Sequence, residues 1–552
     1  MAFLVSPGVQ AREIDSPNSV AGVSTSTGAF AGPFTWGPVE EIVNIGSEAE
    51  LLSTFGSPDI TTNKSFLVAA NYLMYSNALR VVRAAAGHLN ADDAGASVAN
   101  DVIKNKDNYE TIVSFPTGST WAAKYPGTTG NALKVEVCSA GGGYTGWAHE
   151  KLFSAAPGTS SFAAGVAITD DELHVVVSDA TGAISGVAGT VLEIFANVSQ
   201  LADAKKTNGE NNYYKDVLNA QSAWVWWTGH SSGDLTEAGA LSTAVTGAMD
   251  AHSAVISTSL TGGTDDHSVT DGELETAYNV FSNKELVDID LIIGGSVSTT
   301  LANTLVTLAE LRKDAVVCLS PVSTAINSTD VLAWGNAITK STYAVLDSTL
   351  IKVYDKYNDV YVNIGAAGAV AGCMAATDDV ADPWFSPAGV SRGQIRGVTK
   401  LVWNPTQLER DDLYKASINP IVAIPGQGTM LFGDKTNSGK PSAFDRINVR
   451  RLFITLEKAI STAARSMLFE FNDEFTRAQF KNMVEPFLRD VKGRRGVTDF
   501  RVVCDATNND GGIVDSNQFV AGIYVKPSRS INFITLNFVV TRTGVEFTEI
   551  AG

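Results

Sequence analysis

The stretch from 261 to 385 restricts the fold more than any other part of the chain. ELETAYNVFSN (273–283) carries apolar residues at helical spacing, and VDIDLIIGG (287–295) follows as a short apolar run. TLANTLVTLAELRK (300–313) returns to helical spacing before a second apolar run, AVVCLSP (315–321). Strands that are apolar on both faces need cover on both, and intervening helices supply it. The alternation predicts βαβ units and a mostly parallel sheet.

The chain has 552 residues, too many for one ordinary core, which predicts three or four domains. At 44% hydrophobic and 18% charged residues it is globular. Residues 23–89 read as a compact α/β segment. It holds a helix at 47–56 with a Ser47/Glu50 capping box and a Gly56 stop, a helix at 65–77 and a strand at 78–86. From 90 to 260 short β-favouring runs alternate with Gly, Asn, Asp and Thr, as in LHVVVSD (173–179), and predict a separate, partly β domain. Trp224, Trp226 and Trp227 fall together there and read either as packing or as a binding patch. Residues 1–22 read as an arm with too little apolar surface to fold alone. The fold class is therefore mixed α/β (α+β) with several domains.

The formal net charge of −19 disfavours nucleic acid as the main partner, because phosphate binding needs a concentrated cationic surface. The charge is uneven. Between Lys440 and Arg501 thirteen Lys/Arg face eight Asp/Glu, a net +5 that leaves about −24 elsewhere. Cys138, Cys318, Cys373 and Cys504 are far apart without a CxxC pair, the pattern of reduced thiols in a protein made in a cytoplasm. The first fifteen residues lack a cationic signal-peptide start, and no apolar run reaches membrane-span length.

Catalytic and ligand motifs fail on spacing. GGTDDH (262–267) with Ser268 sets Asp, His and Ser side by side, and neighbours in one loop cannot converge as a triad does. The remaining histidines, His88, His149, His174, His230 and His252, show no HxxxH or HExxH pattern. GDKTNSGKPS (433–442) has five residues between its glycines where a phosphate loop has four, and Pro441 occupies the metal-binding hydroxyl position. No catalytic, cofactor-binding or metal-binding residue is expected.

The basic block carries a different signal. A helix is predicted over 444–469, with Val449, Phe453, Leu456, Ile460, Ala463 and Met467 on one stripe. Arg451, Lys458 and Arg465 recur every seven residues on the opposite side, flanked by Arg450, with Ile454 and Leu468 among them. A second helix over 473–492 buries Phe480, Val484, Phe487 and Val491, bends near Pro486 and stops at Gly493. Arg494 and Arg495 follow on a flexible turn. Positive charge mixed with some apolar area suits contact with an acidic partner.

Long strings across the chain carry a family resemblance. They include VSPGVQAREID (5–15), STSTGAFAGPFTWGPVEE (24–41), LTGGTDD (260–266), DPWFSPAGVSRGQIRGV (382–398), SINPIVAIPGQGTMLFGDKT (417–436), PSAFDRINVRRLFITLEKAIS (441–461) and FEFNDEFTRAQFKNMVEPFLRDVKGRRGVTDFRVVCD (469–505). In these the chain resembles the contractile tail sheath proteins of myoviruses, well at both ends and poorly over 90–260 and 300–345. The resemblance implies a structural subunit rather than an enzyme. Such subunits stack as hexameric rings around a tail tube in an extended, metastable state and contract to drive the tube through a host envelope. It implies as partners the chain itself, the tail tube protein, and baseplate and tail terminator proteins, without nucleic acid, cofactor or direct membrane insertion. It places the protein in the virion tail after assembly in the host bacterial cytoplasm. A sheath of a bacterial contractile injection device or prophage-derived particle is the alternative.

The resemblance also implies a conserved inner core of 23–89 with 386–536, an outer insert at 90–260, a middle α/β domain at 261–385 and a C-terminal arm at 537–552. Both arms would add strands to a neighbour's sheet, through Val9, Ile14 and Val20 at one end and Val539, Val540, Val545, Phe547 and Ile550 at the other. Arg450, Arg451, Lys458, Arg465, Arg494 and Arg495 are the candidate contacts to the tube or to sister subunits.

Overall fold

The computed structural model describes residues 25–85, 87–94, 102–112, 118–230, 238–249 and 252–532. Packing separates two units among them. Residues 25–380 with 387–445 form one, and residues 381–386 with 446–532 form the other.

A seven-stranded sheet organises the first unit. Its strands are β1 (Gly28–Gly32), β2 (Val43–Ile45), β3 (Leu79–Arg83), β4 (Leu291–Ser296), β5 (Val316–Ser320), β6 (Ala344–Asp347) and β7 (Ile418–Asn419). Their order is β7-β6-β5-β4-β1-β3-β2. Every neighbouring pair is parallel except β2 with β3. The alternation over 261–385 thus produces parallel pairing of β4 with β5, joined by a crossover helix.

Helix α1 (Asn63–Leu73) connects β2 to β3, α2 (Asp271–Asn279) precedes β4, α3 (Thr299–Arg312) links β4 to β5, and α4 (Ala367–Val380) follows β6. Helix α2 begins two residues before its expected start, because Thr270 and Glu273 close a capping box. Leu301, Leu305, Val306 and Leu308 of α3 join Ile292, Val317, Leu319, Leu346 and Ile418 of the strands in one core. Helix α4 is rich in alanine and glycine and is buried from Ala367 to Ala375. A Cβ on its Gly368 would stand 2.4 Å from the Val68 carbonyl oxygen, and one on Gly372 would stand 2.4 Å from the Tyr75 ring. Glycine there is what lets α4 lie against α1 and the residues after it.

This sheet corrects the expected grouping of segments. Strands β1 to β3 come from 23–89, yet they pair with the 261–385 strands: Gly28 sits opposite Leu291, and Phe30 opposite Ile293. Residues 387–445 supply edge strand β7 to the same unit. Strands of the expected core and of the expected middle domain share one sheet, and residues 381–386 with 446–532 form the second unit. The expectation grouped segments by resemblance, and strand pairing over such separations leaves no trace in local sequence.

Within 90–260, the strands Ile256–Ser259, Leu133–Ser139, Glu172–Asp179 and Thr190–Ser199 form an antiparallel sheet in that order. The tryptophans pack. Trp224 stacks on Trp36 at 5.5 Å between ring centroids, and Trp226 stacks on Tyr109 at 4.3 Å. Lys124 Nζ lies 3.3 Å from the Trp226 ring centre, and burial pushes its pKa down to about 8. The chain enters and leaves this region through a two-stranded neck, with Leu89 bridged to Thr264 and Asp92 to Thr261.

In the second unit, α5 (Ile447–Ala464) packs on α6 (Glu474–Gly493), followed by a hairpin of Val497–Val503 and Gly522–Pro527. Leu452, Leu456, Ile460, Phe480, Met483, Val484, Leu488 and Val491 form its core with Trp384. Helix α6 continues through Pro486 and ends at Gly493. Among the described residues no helix is long and apolar enough to cross a membrane.

Candidate assembly surface

Helix α5 buries the predicted stripe through Val449, Leu456 and Ile460, while Phe453, Ala463 and Met467 are partly covered. The opposite side departs from expectation. Arg450 and Arg451 are only 6% and 4% exposed, Lys458 is half-buried and Arg465 is exposed. The seven-residue cation stripe is therefore not one solvent-facing stripe. Helical periodicity sets the angle of a side chain about the axis, not which turns are covered along it. The first turns of α5 are enclosed, and Asn448 Nδ2 donates there to the carbonyls of Trp384 (3.2 Å) and Ser528 (3.5 Å). Ile454, placed by periodicity among the cations, is buried as well.

The cationic turn after α6 is largely occupied by its own unit. Arg494 donates to Asp382 at 2.6 Å, pairs with Asp490 at 2.9 Å, and lies 5.0 Å over the Trp384 ring. The Trp384 indole N–H in turn donates to the Arg494 carbonyl. Lys492 pairs with Asp499 at 3.3 Å, and that ammonium holds the Asp499 carboxyl below its usual range. Arg495 is exposed, at φ +67°, and makes no ion pair among the described residues. The arm residues Val9, Ile14, Val20, Val539, Val540, Val545, Phe547 and Ile550 lie outside the described residues.

Between α5 and α6 the chain does something periodicity did not announce. Leu468, Phe469, Phe471 and Phe475 are 63%, 103%, 83% and 74% exposed. Phe469 takes φ +72°, an uncommon backbone for an aromatic residue. Asp473 caps α6 by accepting from Thr476 N–H at 2.8 Å, which lowers its pKa. The turn is thus fixed at its helical end and presents large apolar groups at its tip. In LFEF the two phenylalanines are two residues apart, so one helix face cannot bury both. Clustered apolar exposure of this kind marks an interaction surface.

Three family models match the chain. They are the tail sheath protein Gp18 domain III N-terminal region over 25–84, the phage tail sheath protein central domain over 275–437 and the phage tail sheath C-terminal domain over 439–541. A tail sheath protein of Vibrio phage KVP40 is 32% identical, with all of both chains covered. The chain belongs to the phage tail sheath family. The tail sheath protein of Enterobacteria phage T4 is 30% identical over all of this chain and 99% of its own. A sheath tail protein from Listeria innocua shares the fold at a TM-score of 0.55 and 12% identity, covering 92% of this chain and 96% of its own. The protein is a tail sheath subunit. The central and C-terminal sheath models meet at 437–439, close to the division at 445/446 between the two packed units.

Proposed function

We propose that this sheath subunit polymerises with itself as stacked hexameric rings around a tail tube, and that contraction of the sleeve drives the tube through a host envelope. The role is structural, without catalysis or cofactor. The sleeve ends on baseplate and terminator proteins, and the particle is a virion tail assembled in the host bacterial cytoplasm. Strand addition by the arms at 9–22 and 537–550 supplies links that survive rigid-body rotation.

The observation that carries the assembly reading is the apolar turn at 468–475. A solitary chain gains nothing by holding Leu468, Phe469, Phe471 and Phe475 in water, whereas a second copy of the chain removes that area from water. Glu470 and Glu474, both exposed, lie in the same turn and give it a charged surround, as interfaces have. Lys458, Arg465 and Arg495 are the cations we assign to an acidic tube, while burial removes Arg450 and Arg451 from that role. The test is the double variant Phe469→Ser with Phe471→Ser. Circular dichroism should show a folded chain, and negative-stain microscopy should show loss of striated sheaths. Sheaths of normal yield and length would overturn the assignment.

A further inference from the structure

We propose that the neck between the seven-stranded sheet and the antiparallel insert holds a zinc ion on His88, Asp265 and His267, with the Asp59 carboxylate beside it. One ligand atom from each of the first three residues lies within 4.8 Å of the others. The fold brings them from separate segments. His88 follows β3 on the outgoing neck strand and Asp265 and His267 lie on the returning one, joined where Leu89 pairs with Thr264 at 3.1 and 3.2 Å. Asp59 comes from the loop before α1. No spacing motif connects these positions, so a search for HxxxH patterns passes over them.

The observation pointing to a ligand is His267. Its side chain is only 9% exposed, and neither ring nitrogen has a hydrogen-bond partner among the described residues. Buried polar atoms in native folds are almost always partnered. The nearest acceptors stand just too far away: Asp59 Oδ2 is 3.7 Å and Asp265 Oδ2 3.8 Å from His267 Nε2. Those separations exceed a hydrogen bond. They approach the roughly 3.3–3.6 Å between ligands that share a tetrahedral ion with bonds near 2.0–2.2 Å. The His88 and His267 rings meet edge-on, with centroids 5.2 Å apart and planes at 62°, and one nitrogen of each lies within the 4.8 Å cluster.

The carboxylates are already oriented. Asp265 Oδ1 accepts from the Thr128 N–H at 3.0 Å, and its Oδ2 accepts from the Thr128 hydroxyl. Asp59 Oδ1 accepts from the N–H and hydroxyl of both Thr61 and Thr62, which turns its Oδ2 toward His267. Partners of this kind fix ligand geometry at metal sites. Two imidazoles with carboxylate oxygens suit zinc and its transition-metal neighbours, while magnesium and calcium prefer all-oxygen sets. An ion here would tie both neck strands to the α1 loop and stiffen the attachment of the insert.

The test uses the untagged full-length chain, stripped with chelator, and titrates Zn²⁺ against a chromophoric competitor. One equivalent should bind, thermal unfolding should move upward, and Co²⁺ should give the intense visible band of a tetrahedral nitrogen-bearing site. His267→Gln and, independently, His88→Gln should weaken binding by at least about tenfold, with His149→Gln unchanged. Chelator-stripped His267→Gln should melt no earlier than stripped wild type, separating metal loss from misfolding. Zinc binding unaffected by both variants, or a weak octahedral Co²⁺ spectrum, overturns the proposal, as does absence of binding by the wild type.

Discussion

The sheet unit and the C-terminal helical unit bury their apolar residues in opposite ways. Strands β1, β5 and β6 are buried along their whole length, and α3 packs against them in one core. The helical unit closes a core between α5 and α6 yet leaves four large apolar groups exposed at the turn joining them. The large apolar side chains that the sheet unit exposes, such as Ile60, Leu286 and Leu408, come from separate segments of the chain, whereas those of the helical unit gather at one turn.

The largest expected effect tests the self-sufficiency of the sheet unit. Leu305 is fully buried among Ile292, Leu319 and neighbouring helices. Leu305→Ala should cost about 2–5 kcal/mol in denaturant unfolding of the unpolymerised chain, from lost transfer energy and the cavity left behind. A cost under about 1 kcal/mol would mean the sheet core is looser than its burial indicates.

The next contrast is electrostatic. Burial pushes the Asp347 carboxyl at the end of β6 up to about 8, although it accepts from the Ser320 hydroxyl at 2.5 Å. Unfolded, the same group titrates near 4, so between about 4 and 8 the folded chain binds more protons. Stability should therefore fall as pH rises through that window, by up to roughly 1.4 kcal/mol per pH unit, and level off above it. Asp347→Asn should flatten this slope in melts run from pH 5 to 8. Asp473 in the helical unit has the opposite sign. Its lowered pKa contributes stability above about 4 that is lost as pH falls further. An unchanged slope in Asp347→Asn would show that the buried carboxylate is neutralised in some other way.

The smallest effect belongs to the exposed turn. Phe475→Ser, at a side chain 74% exposed, should change the stability of the free chain by no more than about 0.5 kcal/mol. A loss near that of Leu305→Ala would place Phe475 in a core and dissolve the contrast.

Much of this was legible in advance. The βαβ pattern of 273–321, the cap of α1's neighbouring helix by Ser47 and the stop of α6 at Gly493 all follow from residues a few positions apart. Half of the candidate surface was not. Periodicity placed Arg451 opposite the apolar stripe but could not report that this turn of α5 is enclosed. Phe469 and Phe471 were visible as residues, yet their exposure depends on where α5 stops and how Asp473 starts α6.

What the sequence by itself determined is local and familial. Helix periods, caps and apolar runs act over distances of a few residues, and long matching strings set the sheath family. Only the tertiary structure decided that β1 lies between β3 and β4, that Arg450 and Arg451 are enclosed, and that His88 meets His267 at the neck. Each of these joins residues whose separation along the chain says nothing about their separation in space. Such contacts are chosen by the packing of whole elements, which no window of sequence contains.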